Sequence, residues 1–160
     1  MAAPPVREAA RVIVLDTLDN PPDDARVLLL RYDENGGFWA TPGGSLEPGE
    51  TPQAAAAREL HEELGVTDAE IGPAVAVRTK DHLVGGAPVR QTETYYIAVV
   101  TAERVDPANA HQTDNIRAWR WWKVTDIAHT EETVYPVGLA TVVAAYLGNG
   151  GPSQPTELTD

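Results

Sequence analysis

The chain has 160 residues, 42% of them apolar and 22% charged, with no cysteine. That length suits one domain with its own buried core, and the missing cysteine excludes disulfides, thiolate catalysis and cysteine zinc sites. Twelve basic against twenty-four acidic residues give a net charge of −12, which argues against nucleic-acid polymers and anionic membranes as partners, because few Lys and Arg are present to displace counterions.

In chain order, Ala10 to Leu15 and Arg26 to Arg31 are the first two expected strands, separated by the proline-rich, polar stretch from Asp19 to Asp24. Both are apolar on successive residues, which suits strands covered on both faces. A turn at Asn35-Gly36-Gly37 leads to Phe38-Trp39-Ala40 and then to an expected loop from Thr41 to Gly49. The clearest helix follows, with Thr51 as N-cap, Pro52 at the first helical position and Gly65 as its left-handed terminator. Further strands are expected at Ala74 to Lys80, Thr94 to Thr101 and Ala118 to Lys123, and a second helix at Val137 to Leu147 with Leu139, Val143 and Leu147 on one face. Residues from Gly148 onward read as a mobile tail. The expectation is a single α/β domain over 1–160, with a core of about 7–147 and the sheet between helical layers. No apolar run approaches the ~20 residues that span a bilayer, and the first residues hold no hydrophobic signal core. A cytoplasmic location is therefore expected.

Helical geometry makes the segment from Thr51 to Gly65 informative. At roughly 100° per residue, Ala56, Ala57 and Leu64 lie close to Leu60 as an apolar stripe, while Glu62, Glu59 and Glu63 fall about 200°, 260° and 300° from it. Like charges three and four residues apart repel, so this arc destabilises its own helix unless a hard cation with oxygen ligands sits among the carboxylates. The preceding Gly43-Gly44 allows a tight backbone approach that presents carbonyl oxygens. Arg58 stands one residue before Glu59 and four before Glu62, within reach to orient a carboxylate. The four histidines are scattered and form no His-Glu-x-x-His pair.

Gly44, five residues, Glu50, seven residues and then Arg58-Glu59-Leu60-His61-Glu62-Glu63-Leu64-Gly65-Val66 fill every fixed position of a pattern. The segment resembles the Nudix box, Gly-x5-Glu-x7-Arg-Glu-U-x-Glu-Glu-x-Gly-U, where U is a bulky apolar residue. At lower specificity the likeness extends to Leu28 to Arg31, Trp39 to Gly44 and Trp121 to Ile127. The resemblance implies an α/β/α sandwich with a mixed central sheet. It also implies a Mg²⁺- or Mn²⁺-dependent pyrophosphohydrolase that cleaves a nucleoside diphosphate linked to another moiety, such as a nucleoside triphosphate or nucleotide-sugar. Carried over, Glu62 and Glu63 would ligate metal, Glu59 would ligate or act as base, and the Gly43 or Gly44 carbonyl would add a ligand. Arg58 would orient Glu59, with Glu50 supporting the loop.

Many members bring a further glutamate from a loop before the last strand. Here that neighbourhood reads His111-Gln112-Thr113-Asp114-Asn115-Ile116, and Asp114 is the candidate substitute. Arg31, Arg78, Lys80 and Arg90 are candidate phosphate contacts, with Arg31 and Arg90 preferred, and Tyr95 is a candidate for stacking a base. Homodimers are common in the family, which leaves a homodimer open for this chain. The competing reading is a Nudix-fold sensor that binds a nucleotide metabolite without cleaving it; the intact Glu59, Glu62 and Glu63 set speaks against it.

Overall fold

The computed structural model describes residues 4–17, 24–106, 108, 110, 115–151 and 153–159. Its first strand, β1 (Val6–Leu15), lies parallel to β6 (Ala87–Val99) along its whole length, from Val6 opposite Arg90 to Leu15 opposite Val99. On its other side β1 changes partner. It pairs with β2 (Arg26–Tyr32) at Leu15 and Val27, while Ala9 to Arg11 pair with β4 (Gly43–Ser45). The two central strands therefore part along their length.

The sheet is completed by β3 (Phe38–Ala40), β5 (Ala74–Val84), β7 (Ile116–Lys123), β8 (Val134–Tyr135) and β9 (Thr156–Leu158). The strand order is β8-β3-β2-β1-β6-β5-β9, with β4 on β1 and β7 on β2. Parallel pairs β1–β6, β3–β8 and β5–β9 sit among antiparallel ones, so the sheet is mixed.

The unbroken apolar runs divide residue by residue, as the two-residue period of a strand requires. Val12, Val14, Leu28 and Leu30 join Leu60 and Leu64 of α1 (Pro52–Leu64). Ile13, Leu15, Val27 and Leu29 face the opposite layer of α2 (Val124–His129) and α3 (Leu139–Asn149), with Trp122 between them. The expected α/β/α sandwich is the fold observed. Among the described residues, no helix is long and apolar enough to cross a membrane.

Several boundaries differ from the expectations. The stretch from Thr41 to Gly49 contains β4, because Gly43 and Gly44 bring their backbone close enough to β1 to bond with it. The β5–β6 hairpin runs on to Val84 and begins again at Ala87. Its outer part is polar, held by cross-strand pairs such as Arg90 with Asp81 (2.8 Å), so hydropathy did not mark it as strand. Helix α2 is an addition: its six residues are too few for a hydrophobic period to show. Helix α3 begins at Leu139, since Gly138 at φ 89° supplies the left-handed entry. The segment expected to trail free places Thr156–Leu158 alongside Ala76 to Arg78 as an edge strand.

Candidate active site

Helix α1 has the predicted ends. The Thr51 hydroxyl accepts the Ala54 N–H at 3.1 Å, and Gly65 at φ 69° donates its N–H to the His61 carbonyl at 3.0 Å. The buried face is rotated from the predicted stripe toward the glutamates: Ala55, Ala56, Glu59, Leu60 and Leu64 are covered. β4 packs on this side of the helix, with Gly44 directly against the Glu59 carboxylate.

Arg58 organises the carboxylates. Its Nε and Nη2 donate to the two oxygens of Glu50 at 2.8 Å each, and its Nη1 to Glu59 at 3.0 Å and Glu62 at 3.1 Å. Nη2 also reaches the Ser45 carbonyl at 3.1 Å, so one guanidinium ties the loop to the helix. Hydrogen bonding from Arg58 holds the Glu50 carboxyl down at about 2. Glu50 also accepts the Glu47 N–H at 2.9 Å within the loop.

Glu59 and Glu63 have the opposite problem. Burial pushes the Glu59 carboxyl above the usual carboxylate range despite Arg58. Burial also pushes Glu63 up to about 8, against the Gly43 N–H that donates to it at 2.8 Å. Gly43 sits at φ 144° with its Cα against the Ala10 carbonyl and Arg11 backbone, and a Cβ on Gly44 would stand 2.5 Å from a Glu59 oxygen. Two glycines are required because the strand on one side and a carboxylate on the other leave no room for a side chain.

This donor set consists of oxygens only, carboxylates and backbone carbonyls, and two of its carboxyls are raised by burial, Glu59 even with Arg58 at 3.0 Å. Both features fit a hard divalent cation. As the side chains lie, no three Asp, Glu, His or Cys groups among the described residues converge to enclose an ion, since Arg58 draws Glu62 toward itself and Gly43 takes Glu63.

A cavity of about 530 Å³ opens beside Glu63, where β1 and β2 part. One wall is aromatic: Tyr32 and Phe38 stack with centroids 5.2 Å apart, and Tyr135 meets Phe38 edge-on at 5.5 Å. The Tyr32 hydroxyl lies 3.5 Å from Glu63 and joins the cavity to the helix. The other wall carries Arg11, Arg78 and Lys80, with Glu93 and Gln91 between them.

The predicted substrate contacts fare differently. Tyr95 reaches the cavity but is only 3% exposed, its ring packed in the core on the α3 side, so it forms floor and not a stacking face. Arg31 does not line the cavity. It donates to Glu132 at 3.2 Å and lies over Trp39, because its strand position faces the α3 layer. Arg90 also lies outside, paired with Asp81 toward the hairpin tip. Arg78 and Lys80, named as alternatives, do line it. Asp114 and His111 fall outside the described residues. Sequence reasoning missed Arg11, Glu93 and the wall of Tyr32, Phe38 and Tyr135. A signal for the first existed: Arg11 is a lone charge at the head of a strand otherwise read as covered on both faces.

The raised Glu63 carboxyl predicts how stability varies with pH. In protein stripped of divalent ions, the folded chain keeps this proton to about pH 8, whereas the unfolded chain releases it near 4.5. The native state then binds more protons across that window, so stability falls as pH rises, at up to about 1.4 kcal/mol per pH unit. Glu50 does not contribute there, because its depressed carboxyl acts below the window. Urea midpoints in chelator should drop between pH 5.5 and 8.5, and Mn²⁺ should restore the loss at the higher pH. A flat profile in chelator would mean that Glu63 is not desolvated.

The NUDIX domain family model matches residues 6–141. Putative 8-oxo-dGTP diphosphatase 2 of Mycobacterium tuberculosis (strain ATCC 25618 / H37Rv) is 37% identical over 116 residues, covering 63% of this chain and 76% of that protein. Nucleoside triphosphatase NudI of Escherichia coli O1:K1 / APEC is 34% identical over 136 residues, covering 78% and 89%. Among solved structures, the E. coli dihydroneopterin triphosphate pyrophosphohydrolase superposes with a TM-score of 0.65 at 18% identity, covering 89% of this chain and 95% of that one. A C. elegans Ap4A hydrolase binary complex gives 0.63 at 23% identity, covering 89% and 98%. At those identities the likeness concerns the fold.

Proposed function

The chain belongs to the Nudix hydrolase family, and from that premise we propose that it is a Mg²⁺- or Mn²⁺-dependent pyrophosphohydrolase that cleaves a nucleoside diphosphate linked to another moiety by attack of water at phosphorus. The observation that carries this reading is the meeting of three environments, acidic, cationic and aromatic. Tyr32 of a cavity with one aromatic and one cationic wall reaches Glu63, one of two glutamates on α1 with raised carboxyls. A nucleotide has phosphates for the first two and a base for the third.

Glu62 and Glu63, with a carbonyl from Gly43 or Gly44, would hold the metal, leaving Glu59 as base. When bound, that ion withdraws charge from phosphate oxygens and acidifies water. The remaining work falls to the chain. Arg58 holds Glu59 in one orientation through its Nη1, and the raised carboxyl of Glu59 is suited to accept a proton from the attacking water. Gly43 keeps Glu63 pointed at the loop through its N–H, and Tyr32 covers it from the cavity side. The relatives described as an 8-oxo-dGTP diphosphatase and a nucleoside triphosphatase support a nucleoside triphosphate over a nucleotide-sugar. The lack of cysteine supports a cytoplasmic location.

The test is a panel of nucleoside triphosphates and nucleotide-sugars with Mg²⁺, with Mn²⁺ and with chelator, in which products are separated and identified. Release of a nucleoside monophosphate, dependent on the ion, is expected for at least one triphosphate. Tight nucleotide binding with no turnover on any member would replace the hydrolase reading with that of a sensor.

A further inference from the structure

Arg11, Glu93 and Arg78 come from three adjacent strands and meet in the cavity wall. Glu93 is only 7% exposed, and its two oxygens are divided between the guanidiniums: Oε2 accepts Arg11 Nε at 2.8 Å and Oε1 accepts Arg78 Nη1 at 2.7 Å. The register explains the meeting. Glu93 stands directly opposite Arg78 on β5, and opposite Ala9 on β1, two residues from Arg11 on the same strand face. We propose that Glu93 is a positioning residue whose carboxylate holds Arg11 and Arg78 side by side as the anchor for the substrate's phosphate chain. The proposal rests on the hydrolase reading above and adds to it which residues grip the anionic end.

Stability does not account for the triad. Burying the Glu93 carboxylate between two half-buried guanidiniums is costly, and apolar side chains of similar volume commonly do as well or better. The arrangement does make sense beside a ligand, because two cations on one anion leave a net positive charge. Lys80, two residues along β5, stands opposite the neutral Gln91 and extends that charge. Counting the cavity's charged side chains, Arg11, Arg78 and Lys80 outnumber Glu34 and Glu93, three to two, in a chain whose net charge is −12. The anchor is also placed toward the carboxylate helix: Arg11 stands opposite Gly43 on β4, and the Gly43 N–H donates to Glu63 at 2.8 Å. Glu93 also offsets the effect of burial on the Arg11 guanidinium, whose proton affinity it raises above the usual range.

The test uses the full chain and inorganic tripolyphosphate, a probe with no base, in calorimetric titrations with Mg²⁺ present. Arg78→Gln should weaken binding roughly ten- to a hundred-fold, the loss of a charge-assisted hydrogen bond, with Arg78→Lys in between. Arg104→Gln, which removes a cation bound to the Thr67 carbonyl away from the cavity, should bind as the parent does. Glu93→Gln separates positioning from simple charge. Removing an anion from the wall should tighten binding if only the net charge matters, and should weaken it about ten-fold or more if the carboxylate aligns the two forks. On the nucleotide that the panel identifies, the same variants should raise KM with little change in kcat.

Tighter binding by Glu93→Gln, or unchanged binding by Arg78→Gln, overturns the proposal while leaving turnover by the parent chain to support the hydrolase reading. Arg78-dependent binding of tripolyphosphate by a chain that turns over no nucleotide keeps the anchor and removes the hydrolase. If Glu93→Gln does not fold, the decision falls to Arg78→Gln and Arg78→Lys, and equal affinity in both would overturn the anchor.

Discussion

Glu63→Gln is expected to reduce metal-dependent hydrolysis by roughly 10²- to 10⁴-fold while leaving the fold intact and making the metal-free chain more stable near neutral pH. The separation of the two effects follows from the protonation state of the parent residue. In the metal-free chain the Glu63 carboxyl is pushed up to about 8, so near neutral pH it is already mostly uncharged, and a neutral amide of the same shape takes its place. The amide oxygen still accepts the Gly43 N–H that Glu63 Oε1 accepts at 2.8 Å. What is lost is the capacity to become an anion when a divalent cation arrives. The advantage of the metal-free variant should grow from about pH 5 to about pH 8 and then level off, because across that window the parent's unfolded chain gains by ionising Glu63 and the amide has no proton to lose. Circular dichroism and urea midpoints at pH 7 and 9 check the first half, and turnover with Mg²⁺ and Mn²⁺ checks the second. Full turnover in a folded variant would remove Glu63 from the metal set.

Alanine at three glycines of the loop should give three different outcomes. At Gly43 the added Cβ lands on the Ala10 carbonyl and 2.7 Å from the Arg11 Cα, and φ 144° disfavours any L side chain. Backbone is the obstacle, so no rotamer relieves it and β4 must draw away from β1. About 2–4 kcal/mol of stability should go, and hydrolysis should fall about 10²-fold as the Glu63 donor and Arg11 shift together. At Gly44 the Cβ meets the end of a side chain, the Glu59 carboxylate, which can turn aside. Stability should change little, while hydrolysis falls to a similar extent, because Glu59 leaves the orientation set by Arg58. At Gly49 nothing lies within 4 Å and only φ 78° is adverse, so about 1 kcal/mol should go without loss of activity. Urea midpoints and initial rates for the three variants check the pattern. Equal effects at Gly43 and Gly49 would mean that the β1–β4 contact is looser than the backbone geometry implies.

What could be read from the chain alone was whatever depends on neighbours within one turn or one strand. The cap at Thr51, the stop at Gly65 and the carboxylates of α1 are set by residues three and four apart. The double covering of β1 and β2 shows in consecutive apolar residues. Even within that helix, tertiary packing decided which face is buried, because β4 covers Glu59 on a side that periodicity assigned to the polar arc.

The phosphate contacts were not legible in the same way. Arg31 and Arg90 were reasonable candidates by strand position, but a side chain's neighbours across a sheet are fixed by register with distant strands. Glu132, 101 residues away, takes Arg31, whereas Arg11 and Glu93 meet across 82 residues of chain. The aromatic wall of Tyr32, Phe38 and Tyr135 likewise exists only once β2, β3 and β8 lie side by side. The spacing of the carboxylates follows from local sequence alone, since they lie on one rigid helix. The tertiary structure decided what faces that helix across the cavity, since pairing between remote strands brings those groups together and local propensity carries no record of it.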